Sequence, residues 1–180
     1  AGVEKIILTG TCVDSSRAQF ELAREYPGFM YCTAGIHPHD ASGLTDSSLQ
    51  ELRQLLKNPE VIAVGECGLD FNRDFSPRPK QEECFEAQLQ LAVETGLPVF
   101  MHQRDAHERF LEILKPYLNK ISRAVVHCFT GTEEEMLDYL DLGLYIGMTG
   151  WICDERRGSH LKEFINKVPL NRLMIETDAP

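Results

Sequence analysis

The sequence predicts a parallel α/β barrel of the (β/α)8 type, a single domain over residues 1–180. It is expected to lack the first strand–helix unit of such a barrel and the helix after the last strand. Three observations predict this fold. Short apolar, β-branched runs alternate seven times with helix-patterned segments, and parallel strands need such crossovers. The runs are continuously apolar, as in strands covered on both faces. Four of them lead into a residue type able to bind metal: Val61–Val64 into Glu66, Pro98–Met101 into His102, Ala124–Val126 into His127, and Leu173–Thr177 into Asp178. An open doubly wound sheet gathers its site at one switch point, whereas a barrel rim accepts ligands from many strand ends.

The elements follow in order. Gly2 stands where a helix C-terminal glycine would, and Lys5 to Thr11 is the first strand. Asp14 or Ser15 is expected to cap a helix with Ala18, Leu22 and Tyr26 on one face, ended by Pro27-Gly28. Met30 to Ile36 is the second strand, running into His37-Pro38-His39-Asp40. Thr45 opens a helix striped by Leu49, Leu52 and Leu56, which Asn58-Pro59 closes. The third strand spans 61 to 66, and a long helix from Pro79 to Thr95 carries Phe85, Leu89 and Ala92, with Gly96 just beyond. Leu97 to Met101 is the fourth strand. Asp105 and Glu108 pattern as a cap pair for a helix lined by Phe110, Leu114 and Tyr117. Residues 124 to 127 form the fifth strand. Thr132 and Glu135 make a capping box for a helix ended by Gly143, and Leu144 to Thr149 is the sixth strand. Ser159 is expected to cap a short helix with Leu161, Phe164, Ile165 and Val168 inward, before the seventh strand, Leu173 to Thr177.

Composition narrows the function. The 18 Lys+Arg against 28 Asp+Glu and the formal charge of −10 argue against a broad basic surface of the kind that grips nucleic acid by counterion release. A narrow site in which metal ions supply the positive charge stays compatible with that balance. No 18-residue apolar stretch spans a membrane, and the N-terminus lacks signal-peptide regions. Six cysteines occur without a C-x-x-C pair, which points to a reducing, cytoplasmic setting. Cys32, Cys67 and Cys128 read as small core residues.

Two carboxylates and two imidazoles at strand ends make a mixed oxygen and nitrogen donor set for a divalent cation. Such an ion lowers the pKa of bound water and polarises an ester or phosphoryl oxygen. Asp178, fixed by a proline two residues on, is the candidate proton acceptor. His37 and His39 are candidates for metal or phosphate contact. Arg104, Arg156 and Arg157 are candidates for phosphate contact, and Trp151 for base stacking. Asp70 reads as a residue that orients its neighbours; His107 and His160 read as surface residues on helices.

Five motifs stand in order at the ends of five predicted strands: Gly35-Ile36-His37-Pro38-His39, Gly65-Glu66-Cys67-Gly68-Leu69-Asp70, Met101-His102-Gln103-Arg104, His127-Cys128-Phe129-Thr130-Gly131 and Glu176-Thr177-Asp178-Ala179-Pro180. Together they resemble the TatD family of metal-dependent deoxyribonucleases. Asp154-Glu155-Arg156-Arg157-Gly158 is similar to the TatD proteins proper. The resemblance implies a barrel of the metallo-dependent hydrolase type that cleaves phosphodiesters. The expected activity is a 3'-5' exonuclease on single-stranded DNA, with RNA as a secondary substrate, serving DNA repair or degradation. It implies that Glu66, His102, His127 and Asp178 surround one or two divalent ions, Mg2+ first and Mn2+ or Zn2+ as alternatives, with Glu66 and Asp178 catalytic. Many relatives also carry a His-x-His pair on a first strand, in the unit this chain is expected to lack. A monomer acting on accessible single-stranded ends is expected. An ester or amide hydrolase using the same site, or a non-catalytic scaffold barrel, are the competing readings.

Overall fold

The computed structural model describes residues 2–156 and 158–178. Its seven strands are β1 (Ile6–Leu8), β2 (Met30–Ala34), β3 (Val61–Asp70), β4 (Val99–Arg104), β5 (Ala124–Val126), β6 (Tyr145–Met148) and β7 (Leu173–Ile175). They hydrogen-bond in chain order and every neighbouring pair is parallel. With no reversal in strand order there is no switch point, and the sheet curls as part of a (β/α)8 barrel. The main crossover helices are α1 (Val13–Glu25), α2 (Asp46–Leu55), α3 (Arg78–Thr95), α4 (His107–Leu114), α5 (Glu133–Asp141) and α6 (Leu161–Phe164).

Several helix ends follow the expected chemistry. Thr45 and Thr132 each form a capping box, with Ser48 and Glu135 as partners. Gly96 closes α3 with φ +71, a left-handed conformation that favours glycine. Three caps differ from expectation. Cys12, not Asp14 or Ser15, caps α1: its sulfur accepts from the Ser15 amide, while Ser15 Oγ accepts from the Cys12 amide. Asp105 is not a cap; it sits at φ +53 and its carboxylate accepts from Asn72. His160 rather than Ser159 occupies the cap position of α6, and its side chain makes no capping bond to the helix.

The face of α1 is also corrected. Ser16, Phe20 and Ala23 turn inward, whereas Leu22 and Tyr26 are exposed. The cause is backbone crowding. Ser16 Oγ bonds both the amide and the carbonyl of Gly35, and a Cβ on Gly10 would lie 2.4 Å from that oxygen. Only a small polar residue fits there, and it fixes the rotation of the helix.

Buried glutamines on α3 hold the strand ends that matter for the site. Gln88 accepts from the Ile36 amide at 2.8 Å and donates to the Ile36 carbonyl at 2.9 Å. Gln81 does the same for Asp70, at 2.8 and 3.1 Å. Side-chain amides thereby satisfy backbone groups at sheet positions beside His37 and Asp70. Phe85 of α3 stacks on Phe110 of α4 at 5.0 Å to complete this wall.

Candidate metal centre

Glu66 is the hub. It lies in β3, which runs four residues beyond the expected end, and it is only 6% exposed. Glycines on either side make this possible. Gly65 and Gly68 both have φ +138, and a Cβ on either would meet a β4 carbonyl, at 2.2 Å from Phe100 O and 1.9 Å from His102 O. The β3–β4 register shifts between Val64 and Cys67, and the Gly65–Glu66 peptide is cis.

Three imidazoles surround one Glu66 oxygen. His127 Nε2 lies 2.6 Å from Oε1, and His37 Nε2 and His102 Nδ1 each lie 3.2 Å from it. Each imidazole has a second contact on its other nitrogen. His102 Nε2 is 3.2 Å from Asp70 Oδ2, which His39 Nε2 also meets at 2.8 Å. Asp70 Oδ1 accepts from the amides of Asn72 and Arg73. Asp70 thus orients two rings, as expected. His127 Nδ1 faces Glu176 Oε2 at 3.5 Å, an ion-pair rather than a hydrogen-bond separation, and it is a buried nitrogen without a hydrogen-bond partner. The other Glu176 oxygen accepts a short hydrogen bond from the Cys128 amide.

His37 differs. Its Nδ1 accepts the His39 amide proton at 3.1 Å, so in the neutral ring the proton sits on Nε2, facing Glu66. Burial lowers the His37 pKa and favours that neutral ring.

The charges reinforce one another. Burial alone would raise the Glu66 carboxyl, but the hydrogen bonds from His102, His127 and His37 hold it well below the usual carboxylate range. Burial likewise opposes charge on His127, yet Glu176 and Glu66 outweigh it and push the imidazole up to about 10. His102 is also raised, by Asp70 and Glu66 working against burial. Carboxylates converging at this depth require positive charge, from imidazole protons or from a cation. One ligand atom each from His37, Glu66 and His102 lie within 4.8 Å of one another. The mixed donor set fits a divalent cation, and Glu176 behind His127 Nδ1 fits the outer partner of a metal-binding imidazole.

The remaining candidates are dispersed. Asp178 is exposed, with φ +54, and its carboxylate approaches the Cys128 thiol; from the same strand end it is Glu176 that reaches His127. Arg104 is exposed at the end of β4. Arg156 is exposed beside Asp154, and Arg157 lies outside the described residues. Trp151 is half-buried in a short 3-10 turn, its amide held by Thr149. His107 is not a free surface residue: its ring spans Tyr139 Oη and Asp138, each at 2.9 Å. His160 is half-buried, its Nε2 3.2 Å from the carbonyls of Thr130 and Gly131 in the loop after His127. Glu176, which sequence reasoning does not single out, stands just beyond the end of β7 and two residues before Asp178 in the same motif.

Histidines and carboxylates converging beyond the C-terminal ends of successive parallel strands define a barrel protein with a metal-type centre on its rim. The chain belongs to the TatD related DNase family, whose profile matches residues 1–180. It is 55% identical to the 3'-5' ssDNA/RNA exonuclease TatD of Yersinia pseudotuberculosis, over all of this chain and 69% of that protein. It is 52% identical to the protein of the same name from Musicola paradisiaca, over 99% of this chain and 68% of that protein. The crystal structure of YJJV, a TatD homologue from Escherichia coli K12, superposes with a TM-score of 0.89 at 36% identity, covering 99% of this chain and 69% of that one.

Proposed function

We propose that this chain acts as a metal-dependent nuclease that removes nucleotides from the 3' end of single-stranded DNA or RNA. The observation that carries the reading is the buried Glu66 oxygen ringed by three imidazoles, and the printed names of the relatives support the substrate. Glu66, His102 and His127 would hold one or two divalent ions, Mg2+ first and Mn2+ or Zn2+ as alternatives. When bound, the ion supplies Lewis-acid polarisation of the phosphoryl oxygen and activation of water. Asp70 and Glu176 orient His102 and His127 through their outer nitrogens. His37, whose Nε2 carries the proton, donates to a phosphate oxygen. Asp178 belongs to this reading as ligand and as acceptor of the attacking water's proton, general-base help of roughly 10²–10⁴-fold. Arg104, Arg156 and Arg157 contact phosphates, and Trp151 stacks on a base. The net charge of −10 favours accessible single-stranded ends over long duplex. No helix among the described residues is long and apolar enough to cross a membrane. The reading places a monomer in the cytoplasm, in nucleic acid repair or degradation.

The test is a time course on oligonucleotides labelled at the 3' or the 5' end, with Mg2+, Mn2+ or Zn2+, for the native protein and Glu66→Ala. Stepwise loss from the 3' end that requires metal and Glu66 is expected. Digestion that persists in EDTA, or a Glu66→Ala protein that keeps both metal affinity and turnover, overturns it.

A further inference from the structure

Among the exposed large hydrophobic side chains, Phe75 is the most exposed aromatic, at 67%. It sits in the loop between β3 and α3. Single exposed apolar residues are ordinary, but this one is mounted on a loop pinned along its length. Ser76, next to it, is buried; its hydroxyl donates to the His39 carbonyl at 2.8 Å and accepts from the Ser42 amide at 3.0 Å. The Ser76 carbonyl accepts from Gln81. On the other side, Asp74 forms a two-pronged pair with Arg78, and Asp70 binds the amides of Asn72 and Arg73. The chain holds both neighbours fast and leaves the ring in solvent.

The ring stands one residue from the metal-type centre. Its centroid is 4.7 Å from that of His39, edge to face, and His39 shares Asp70 Oδ2 with His102. Phe75 and His39 line a cleft of about 520 Å³ together with Val13, Ile36 and the hydroxyl residues Thr45 and Ser47. Its one arginine, Arg17, is already paired with Asp14 and Glu51, and Asp40 also lines the cleft. With Asp14 and Glu51 also in its lining, the cleft offers no unpaired positive side chain to a phosphate. Within it, the Phe75 ring offers an apolar face to a flat ring.

We propose that Phe75, with His39 beside it, is a base-stacking subsite: a nucleobase of the single strand lies against the Phe75 ring while the neighbouring phosphodiester faces Glu66. The proposal rests on the nuclease reading for the identity of its ligand. It assigns the grip on substrate to stacking rather than charge, in keeping with the acidic chain.

The experiment compares native protein, Phe75→Ala and Phe75→Tyr on two single strands of equal length, one normal and one with abasic sites at its 3'-terminal positions. Binding is followed by fluorescence anisotropy and cleavage by gel, with metal present. Phe75→Ala should bind the normal strand roughly 5- to 150-fold more weakly, the worth of one stacked base. KM should rise accordingly, while Phe75→Tyr stays close to native. On the abasic strand the three proteins should agree. Equal affinity of native and Phe75→Ala for the normal strand overturns the subsite even where cleavage proceeds. Phe75-dependent binding without cleavage would keep the subsite and remove the nuclease reading; no binding of either strand removes both.

Discussion

Replacing Gly147 by alanine probes how Glu176 is held against His127. Gly147 lies in β6 with φ outside the left-handed region, so alanine meets no conformational penalty and the cost is purely one of contact. Its Cβ would lie 2.4 Å from Glu176 Oε1, 3.0 Å from Glu176 Cδ and 3.0 Å from His127 Cα. The carboxylate must swing away, breaking its bond from the Cys128 amide and leaving His127 Nδ1 without its counter-charge. A hydrogen bond to a charged group contributes about 1.5–3 kcal/mol and overpacking costs about 1–3 kcal/mol, so Gly147→Ala should destabilise by roughly 2.5–6 kcal/mol. Glu176→Ala removes the obstacle but leaves the Cys128 amide unpaired, at about 1–3 kcal/mol. In the double variant, of these three atoms the new methyl still meets His127 Cα, so its added cost should fall to about 1–3 kcal/mol. The two substitutions should therefore be coupled by about 1.5–3 kcal/mol, well above the ~0.5 kcal/mol scatter of independent sites. Urea denaturation of the four proteins measures it. Metal affinity by calorimetry should fall about 10–100-fold in either single variant. Simple additivity would refute the idea that β6 carries a glycine here to seat Glu176.

Asp178→Asn should lower kcat by about 10²–10⁴-fold with metal affinity changed only a few-fold; recovery of rate in excess metal would make Asp178 a ligand alone. His37→Gln should leave metal affinity within about threefold of native while weakening turnover, since its protonated Nε2 is a donor; calorimetry showing metal loss comparable to Glu66→Ala contradicts that role. Affinity for single-stranded DNA, titrated against salt, should give a shallow slope for few phosphate contacts. A slope as steep as that of a basic duplex binder speaks against recognition by stacking.

The strands were legible because each is a buried apolar run, and the cluster because three of these runs lead into Glu66, His102 and His127, whereas from the fourth it is Glu176 and not Asp178 that reaches His127. Thr132 and Gly96 announced helix ends through local chemistry that tertiary contacts did not disturb. What escaped was decided between elements. The inward face of α1 depends on Ser16 meeting the Gly35 backbone, a contact 19 residues apart that no helical stripe encodes. Gln81 and Gln88 look like surface residues of an amphipathic helix, yet both are fully buried as backbone partners. The reach of β3 through Gly65 and Gly68 was hidden because glycine ordinarily weakens a strand. Here it admits β4 to close approach.

The order of the site follows from how its imidazoles are bracketed. His102 meets Glu66 through Nδ1 and Asp70 through Nε2; His127 meets Glu66 through Nε2 and Glu176 through Nδ1. Each ring turns one nitrogen to the central carboxylate and the other to an outer one. An outer carboxylate stabilises a proton on the nitrogen it faces and fixes the orientation of the ring. His37 lacks such an outer carboxylate: a backbone amide donates to its Nδ1, and the ring proton is driven to the inner nitrogen. Three histidines around one glutamate oxygen are therefore not equivalent. Two are backed by an outer carboxylate and one by a backbone amide, and the difference is written in what stands behind each ring. Asp70 carries this logic outward, because its Oδ2 also holds His39, the ring against which Phe75 packs. One oxygen thus ties the wall of the cleft to a histidine of the centre, and the geometry that orients His102 is the same geometry that positions the cleft.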